Sequence, residues 1–149
     1  MKLWRISNYA DLSGAGGLKA AGRWHNRGIP IVYAGESIAL AMLETLVHFE
    51  LAPDEVPDSF QLIAINVAEK IAIAQLSQNV LLNDWQRNQD YTRAIGDEWL
   101  MSGSSVLLKV PSAIIPESYN YLFNPRHPDA DKIQIDSVRD CPFDQRLIN

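Results

Sequence analysis

The stretch GIPIVYAGESIALAMLETLVHFEL, residues 28–51, decides the fold, because it predicts a buried strand followed directly by a long helix. β-branched and aromatic side chains between its first two glycines indicate the strand, with Pro30 near its start, where a missing N–H costs least. The helix is predicted over residues 37–51, with Glu36 or Ser37 as its cap. Its circumference is apolar apart from one narrow stripe, so we expect it to be mostly buried.

Outward from this stretch, further strands and a second helix give an α+β pattern. Alternating or β-branched runs predict strands over residues 2–7, 59–67, 70–76, 105–111 and 131–138, and a helix over residues 89–103 that ends at its glycine. A flexible glycine-rich loop is predicted at residues 13–22, and an irregular polar segment at residues 114–124. Strands and helices do not alternate regularly, which favours α+β over a doubly wound parallel sheet.

Length and charge set limits on the class of protein. The 149 residues correspond to one domain that can bury a sizeable core, and 47% hydrophobic residues is an ordinary share for a globular chain. Thirteen basic residues against 18 acidic ones give a net charge of −5. A general nucleic-acid binder needs a basic face, so the charge argues against that class, although a local basic pocket for a phosphorylated ligand remains compatible with it.

Cysteine content and the apolar runs indicate the compartment. Cys141 is the single cysteine, which excludes an internal disulfide and a cysteine-based zinc site. The opening MKLWRIS lacks the apolar core of a signal peptide, and no apolar run approaches the ~20 residues of a membrane span. We therefore expect a cytoplasmic protein.

Glu44 is the first candidate functional residue, because a carboxylate on an apolar helix must find a partner or bear a large desolvation cost. The structural alternative is a buried ion pair with Arg5 or Arg23. His48 follows one helical turn later, which resembles half of a metal site, but no second pair of ligands is evident and we predict no metal.

Other candidates are polar residues in apolar or glycine-rich settings. Arg5 lies in the first predicted strand, Arg23 follows the glycine loop and Tyr33 ends the second strand. The alternatives are a structural ion pair for each arginine and a core position with a satisfied hydroxyl for the tyrosine. A late segment adds a further polar group, for which turn chemistry is the alternative: Ser118, Asn120, Asn124 and His127.

Several motifs, in this order and spacing, resemble the RES domain family, which is named for an arginine, a glutamate and a serine. GRWHNRGIPIVYAGESIALAMLETLVH at residues 22–48 resembles its core signature, and LWRIS at residues 3–7 its first strand. SGSSVLLKVPSAIIPESYNYLFNPRHPDADKI at residues 102–133 and FDQRL at residues 143–147 resemble its second half. The likeness predicts one RES domain over residues 1–149.

The resemblance implies a toxin of a bacterial type II toxin–antitoxin system. Its fold is then similar to that of the ADP-ribosyltransferases, with central mixed or antiparallel sheets and flanking helices. Its substrate, rather than its prosthetic group, is NAD⁺, which family members deplete by hydrolysis or phosphorolysis, and some related members ADP-ribosylate a protein. Its partner is an antitoxin with an Xre-like helix-turn-helix domain, through which alone DNA is contacted. A non-catalytic co-repressor that binds the antitoxin is the alternative from another class.

Carried onto this chain, the family's residues fall on positions already singled out. The resemblance implies catalytic roles for Glu44, Arg23, Arg5 and Ser118, and NAD⁺-binding roles for Arg5, Arg23, Tyr33, Ser118 and Asn120. Ser118 is expected to bond the substrate and to hold Glu44 or an arginine in place. Separately, we expect that Trp85, Trp99 and Tyr121 are partly exposed and that the chain forms a homodimer through such residues.

Overall fold

A computed structural model describes residues 1–48 and 57–148. These residues form a seven-stranded sheet and three α-helices. The strands are β1 Lys2–Ser7, β2 Val32–Gly35, β3 Ser59–Val67, β4 Ile73–Gln75, β5 Leu107–Pro111, β6 Tyr119–Phe123 and β7 Ile133–Pro142. The helices are α1 Ala15–Lys19, α2 Ile38–Leu46 and α3 Gln89–Ser102.

The sheet runs in the order β4-β5-β6-β2-β1-β3-β7. The short β4 is parallel to β5, and every other neighbouring pair is antiparallel. This mixed sheet in a single domain confirms the predicted α+β class. Because β2 and β6 are neighbours, Gly35 lies opposite Asn120, and the start of α2 is brought beside the second half of the chain.

Alternate side chains of the central strands enter two separate cores. On β2, Val32 and Ala34 join one cluster, whereas Tyr33 and the preceding Ile31 pack with the other. The first cluster includes Leu3, Ile63, Ile65 and Phe123, and the second includes Trp24, Trp85, Trp99 and Leu122. Both faces of the central sheet are therefore covered, as the period of two along each strand requires.

The helix α2 differs from its prediction in length and in burial. It spans Ile38–Leu46, and residues 49–51 of the prediction lie outside the described part of the chain. Ser37 is its cap and accepts a hydrogen bond from the Leu40 N–H. Leu40 and Ala41 are buried, but 53% of Val47 is exposed just past the end. The prediction of a mostly buried helix is wrong, because only one side of it packs against the sheet.

The segment predicted as irregular, residues 114–124, contains β6, which lies in the middle of the sheet. The prediction is wrong because Tyr121, Leu122 and Phe123 are all buried, and a strand covered on both faces shows no polar alternation. The predicted glycine loop is also partly wrong, since it contains the short helix α1. Gly14 begins α1 with a φ of +72°, a conformation that favours glycine.

The remaining elements agree with the sequence in kind. The bounds of β1 and β3 are as predicted, and α3 ends at Gly103 in the left-handed conformation. Four strands differ in extent: β2 begins only at Val32, β4 is shorter than predicted, β5 begins only at Leu107, and β7 runs from Ile133 to Pro142. None of the described helices has the length and apolar content that crossing a membrane requires.

The expected exposure of three aromatic residues is wrong. Trp85 is 3% exposed, and Trp99 and Tyr121 are 7% exposed each, because they fill the two cores described above. These residues therefore offer no surface for a homodimer.

Candidate active site

A cavity of about 300 Å³ opens between β1, β2 and α2, with the segment before β2 as a further wall. Five of the six predicted site residues line it: Arg5, Arg23, Tyr33, Glu44 and Asn120. Trp4, Ile6, Val47 and Ile114 supply apolar surface, and His48 lies among the lining residues as well. The fold thus gathers residues that are more than 100 positions apart in the sequence.

Glu44 is held through one oxygen. Ser112 Oγ and Asn120 Nδ2 both donate to Glu44 Oε1, over 2.7 and 2.8 Å. Among the described residues Oε2 has no direct hydrogen bond. No ion pair joins Glu44 to an arginine within residues 1–48 and 57–148. The alternative of a direct Glu–Arg ion pair is therefore not observed among these residues.

Ser112 is fixed by the turn that follows β5. Its hydroxyl oxygen accepts from the amides of Ile114 and Ile115, over 3.1 and 3.2 Å. With its acceptor capacity used in this way, the hydroxyl proton is directed to Glu44. Ser112 is fully buried, so the carboxylate is held by a group that cannot exchange its bonds with solvent.

The serine that holds Glu44 is therefore Ser112, and the expectation that Ser118 does so is wrong. Across the β5–β6 hairpin the two residues are neighbours, since the Ser112 N–H donates to the Ser118 carbonyl over 2.8 Å. Ser118 is not among the lining residues of the cavity. The signal that could have found Ser112 is its place directly after the proline that ends a buried strand.

Arg5 reaches the cavity from β1 with much of its hydrogen-bonding capacity unused. Its Nη1 donates weakly to the Tyr33 carbonyl over 3.4 Å, and its buried Nε has no hydrogen-bond partner among the described residues. Burial lowers the pKa of Arg5, and the charge of Asp11 partly opposes that shift. An arginine remains protonated in proteins, so Arg5 places a partly desolvated cation at the cavity.

Arg23 lines the same cavity from the segment before β2. Its Nη1 donates to the Gln86 carbonyl over 2.8 Å, and its other nitrogens make no hydrogen bond within the described residues. Burial lowers the pKa of Arg23, whereas the negative charge of Glu44 raises it. Glu44 and Arg23 thus attract each other, although no ion pair joins them in the described structure.

The Tyr33 hydroxyl is occupied by the protein itself. It accepts from the Trp24 N–H over 3.1 Å and lies 2.7 Å from His25 Nδ1. Burial raises the pKa of Tyr33 well above its usual range, so the hydroxyl keeps its proton and donates it to His25 Nδ1. The ring of Tyr33, rather than its hydroxyl, is the part offered to a ligand.

His25 is a contributor that the sequence analysis did not single out. It is 2% exposed, and burial lowers its pKa, which favours the neutral ring. The Gly22 N–H also donates to Nδ1, over 3.2 Å, so Nδ1 is an acceptor and the ring proton lies on Nε2. The available signal was a histidine beside Trp24, directly after the glycine-rich segment.

The other late polar residues lie outside the cavity and serve the chain locally. Asn124 Oδ1 accepts from the Arg126 N–H, and His127 Nδ1 accepts from the Asp129 N–H. This is the turn chemistry considered from the sequence. In the part of the chain that the structure describes, no three His, Cys, Asp or Glu side chains gather as metal ligands.

Fold and site together define a class: an α+β domain with a cavity lined by two arginines and by one carboxylate that neutral donors hold in place. The model of the family described as "RES domain" matches residues 2–144. The chain belongs to the RES domain family.

Similar proteins extend over nearly the whole chain. "Toxin Res" of Pseudomonas putida is 48% identical over 147 residues, which cover 99% of each chain. "Prs ADP-ribosylating toxin" of a Sphingobium species is 39% identical over 155 residues, 97% of this chain and 95% of that protein. The Mycobacterium tuberculosis MbcT–MbcA toxin–antitoxin complex contains a chain with a similar fold, at a TM-score of 0.77 and 18% identity. That likeness covers 98% of this chain and 85% of the other.

Proposed function

We propose that this protein is the toxin of a toxin–antitoxin pair and that it cleaves the bond between nicotinamide and ribose in NAD⁺. The observation that carries the proposal is the immobilised Glu44, held through Oε1 by Ser112 and Asn120 at a cavity shared with two arginines. The names of the relatives from Pseudomonas and Sphingobium agree with a toxin, and the second name agrees with ADP-ribosyl chemistry.

The chemistry of NAD⁺ cleavage suits a site with one carboxylate. When the bond breaks, nicotinamide leaves as a neutral molecule and the ribose acquires oxocarbenium character. The leaving group needs no proton, so a second acid is unnecessary, in contrast to ordinary glycoside hydrolysis. Glu44 Oε2 is then the atom that faces the developing positive charge or orients the acceptor, and its fixed position avoids reorganisation during the reaction.

The two arginines suit the other end of the substrate. A guanidinium binds phosphate oxygens through a fork of N–H donors, and both Arg5 and Arg23 keep unused donors within the described structure. Their partial burial strengthens the attraction for an anion, because little solvent screens it. The Tyr33 ring provides a face on which nicotinamide or ribose stacks, and the role of Ser118 in substrate binding stays a prediction.

A second candidate is transfer of ADP-ribose to a protein. The name of the Sphingobium relative, which is 39% identical to this chain, favours it specifically. The same carboxylate and arginines serve both reactions, since they differ only in whether water, phosphate or a protein side chain accepts the ribose. The acceptor is therefore a matter for experiment.

The proposal includes an antitoxin as partner. A complex of a toxin with its antitoxin contains the similar fold from Mycobacterium tuberculosis. The net charge of −5 leaves this chain poorly suited to bind DNA, so an Xre-like helix-turn-helix partner would supply that contact. We place the pair in the cytoplasm, where NAD⁺ is available as substrate.

Induction in a bacterial host tests the toxin proposal. We expect growth to stop and cellular NAD⁺ to fall when the wild-type chain is induced, and neither to occur with Glu44→Gln at equal folded expression. Glu98→Gln, an exposed position on α3, is the matched control and should behave as wild type. Constant NAD⁺ during growth arrest by the wild type would contradict cleavage of the bulk pool and favour the co-repressor or a selective transferase.

Labelled NAD⁺ separates the two candidate reactions. Purified protein incubated with adenylate-labelled NAD⁺ and lysate should yield free ADP-ribose, or its phosphate if activity depends on added phosphate. Label that appears instead on a protein would favour the transferase.

A further inference from the structure

The wall of the cavity that carries Arg23 is built on one face of α3. Residues 22–26 run along this helix. Two pairs of adjacent α3 residues, one helical turn apart, contact them. Arg93 Nε donates to the Gly22 carbonyl over 2.8 Å, and Thr92 Oγ1 donates to the Arg23 carbonyl over 2.6 Å. Gly96 and Asp97 complete the face, which lies at the i, i+1, i+4 and i+5 positions.

The contact is close enough to define the path of the backbone. A Cβ on Gly96 would lie 1.6 Å from the Trp24 carbonyl oxygen, so the helix and the segment touch backbone to backbone. Thr92 is fully buried at this contact. Asp97 accepts from both the backbone and the side chain of Asn26, over 3.0 and 2.6 Å. Arg23 is therefore flanked by anchored residues on both sides.

Two of the anchors are charged: Asp97 is negative, and the one positive group of the four is Arg93. Its two hydrogen bonds go to neutral acceptors, the Gly22 carbonyl and Gln89 Oε1, each over 2.8 Å. It forms no ion pair within residues 1–48 and 57–148, since Asp97 is engaged by Asn26. Burial lowers the pKa of Arg23 and raises that of Tyr33; the positive charge of Arg93 adds to the first shift and opposes the second, where Asp97 partly offsets it, so its field reaches the cavity wall.

We propose that Arg93 is a positioning residue of this site: it fixes the Gly22 carbonyl, so that Arg23 is aimed into the cavity, and adds positive potential for an anionic substrate. The inference rests on the proposed function for the identity of that substrate, NAD⁺. Arg93 does not line the cavity and is not assigned contact with substrate. Geometry and charge are two separable parts of its role, because lysine retains the charge but not the planar fork.

Steady-state kinetics of NAD⁺ consumption tests both parts. Arg93→Gln should lower kcat/KM by roughly tenfold or more, with KM raised and kcat reduced, since small displacements of a binding group have large effects on rate. Arg93→Lys should restore most of KM but leave kcat reduced. Arg126→Gln removes one exposed arginine whose side chain makes no described bond, and it should match the wild type. A kcat/KM of Arg93→Gln within about twofold of that control would overturn the proposal.

Amide hydrogen exchange keeps the test independent of the reaction. The Trp24 N–H is bonded to the Tyr33 hydroxyl, and the Gly22 N–H to the His25 carbonyl, so both report the anchored path. Both should exchange at least about tenfold faster in Arg93→Gln than in Arg126→Gln, with the amides of β3 unchanged. Failure of the wild type to consume NAD⁺ would contradict the proposed function. Unchanged exchange at these two amides would by itself overturn the positioning role of Arg93.

Discussion

At the scale of single residues, the account depends on how the two oxygens of Glu44 are used. Oε1 accepts two neutral donors, whereas Oε2 accepts no hydrogen bond from the described residues. Neutral donors stabilise the ionised carboxylate without cancelling its charge, as a directly paired arginine would. A carboxylate held in this way keeps its full charge for a cationic transition state.

Ser112→Ala should lower both stability and activity. The change removes a donor to Glu44 and also the acceptor of the Ile114 and Ile115 amides, so the free energy of unfolding should fall by about 1–3 kcal/mol. Urea denaturation measures the first effect and NAD⁺ consumption the second. Ser118→Ala, on the facing side of the hairpin, is the matched variant. A larger loss of activity in Ser118→Ala than in Ser112→Ala would contradict the assignment of Ser112.

His25 predicts how stability depends on pH. Burial lowers its pKa in the folded protein from the ordinary 6.5, so the unfolded chain binds the proton first as pH falls. The stabilisation of the folded protein that depends on neutral His25 is therefore fully present above about pH 6.5, and it is lost as the pH falls below that value. Denaturation at pH 7.5 and 5.5 should show lower stability at 5.5, and the difference should shrink in His25→Gln. An equal difference in both proteins would exclude His25 as its source.

At the scale of elements, the resemblance and the sequence pattern singled out most of the polar residues that line the cavity. Glu44 on α2, Arg5 on β1 and Asn120 on β6 were predicted from local motifs, and the fold brings them to one cavity. Ser112 was missed because Ser112 and Ser118 face each other across a hairpin, and the sequence does not reveal which hydroxyl points inward. Hydrogen-bond direction depends on three-dimensional register, which no local pattern contains.

The same limit explains the errors in α2 and β6. The apolar circumference of α2 predicts burial, but burial depends on what packs against each side, and only one side meets the sheet. The run YLF in β6 lacks alternation because both faces of that strand are covered. Hydrophobic periodicity identifies a helix or strand well when one face is polar and exposed to solvent. It is a poor guide for a strand that is buried on both faces or for a helix that is apolar all round.

Glycine substitutions test the packing of α3 against the wall of the site. Gly96→Ala should lower the free energy of unfolding by ~3 kcal/mol or more, because its Cβ would meet the Trp24 carbonyl. Gly16→Ala in α1 is the control, since a Cβ there meets nothing within 4 Å, and it should be neutral or stabilising by up to ~1 kcal/mol. Thermal unfolding compares the two. Equal stability of both variants would show that α3 does not contact the 22–24 backbone as described.

At the scale of the whole molecule, the charges are divided between surface and site. The chain is acidic overall, with a net charge of −5. Two partly buried arginines nevertheless line its cavity, and a third, Arg93, binds the backbone next to Arg23. The acidic balance argues against a broad nucleic-acid face, while the cavity remains locally basic. The α+β class followed from the order of the elements, but the place of β6 between β5 and β2 required the structure.

The most direct test of the account is the rate of nicotinamide release from NAD⁺ by the purified protein, measured for the wild type, Glu44→Gln and Glu98→Gln. We expect release by the wild type and by Glu98→Gln at equal rates. We expect a loss of roughly a hundredfold or more in a folded Glu44→Gln, because the charge that would face the oxocarbenium-like ribose is removed. Release by folded Glu44→Gln at the wild-type rate, or none by the folded wild type with water, phosphate and lysate protein all supplied as acceptors, would contradict it.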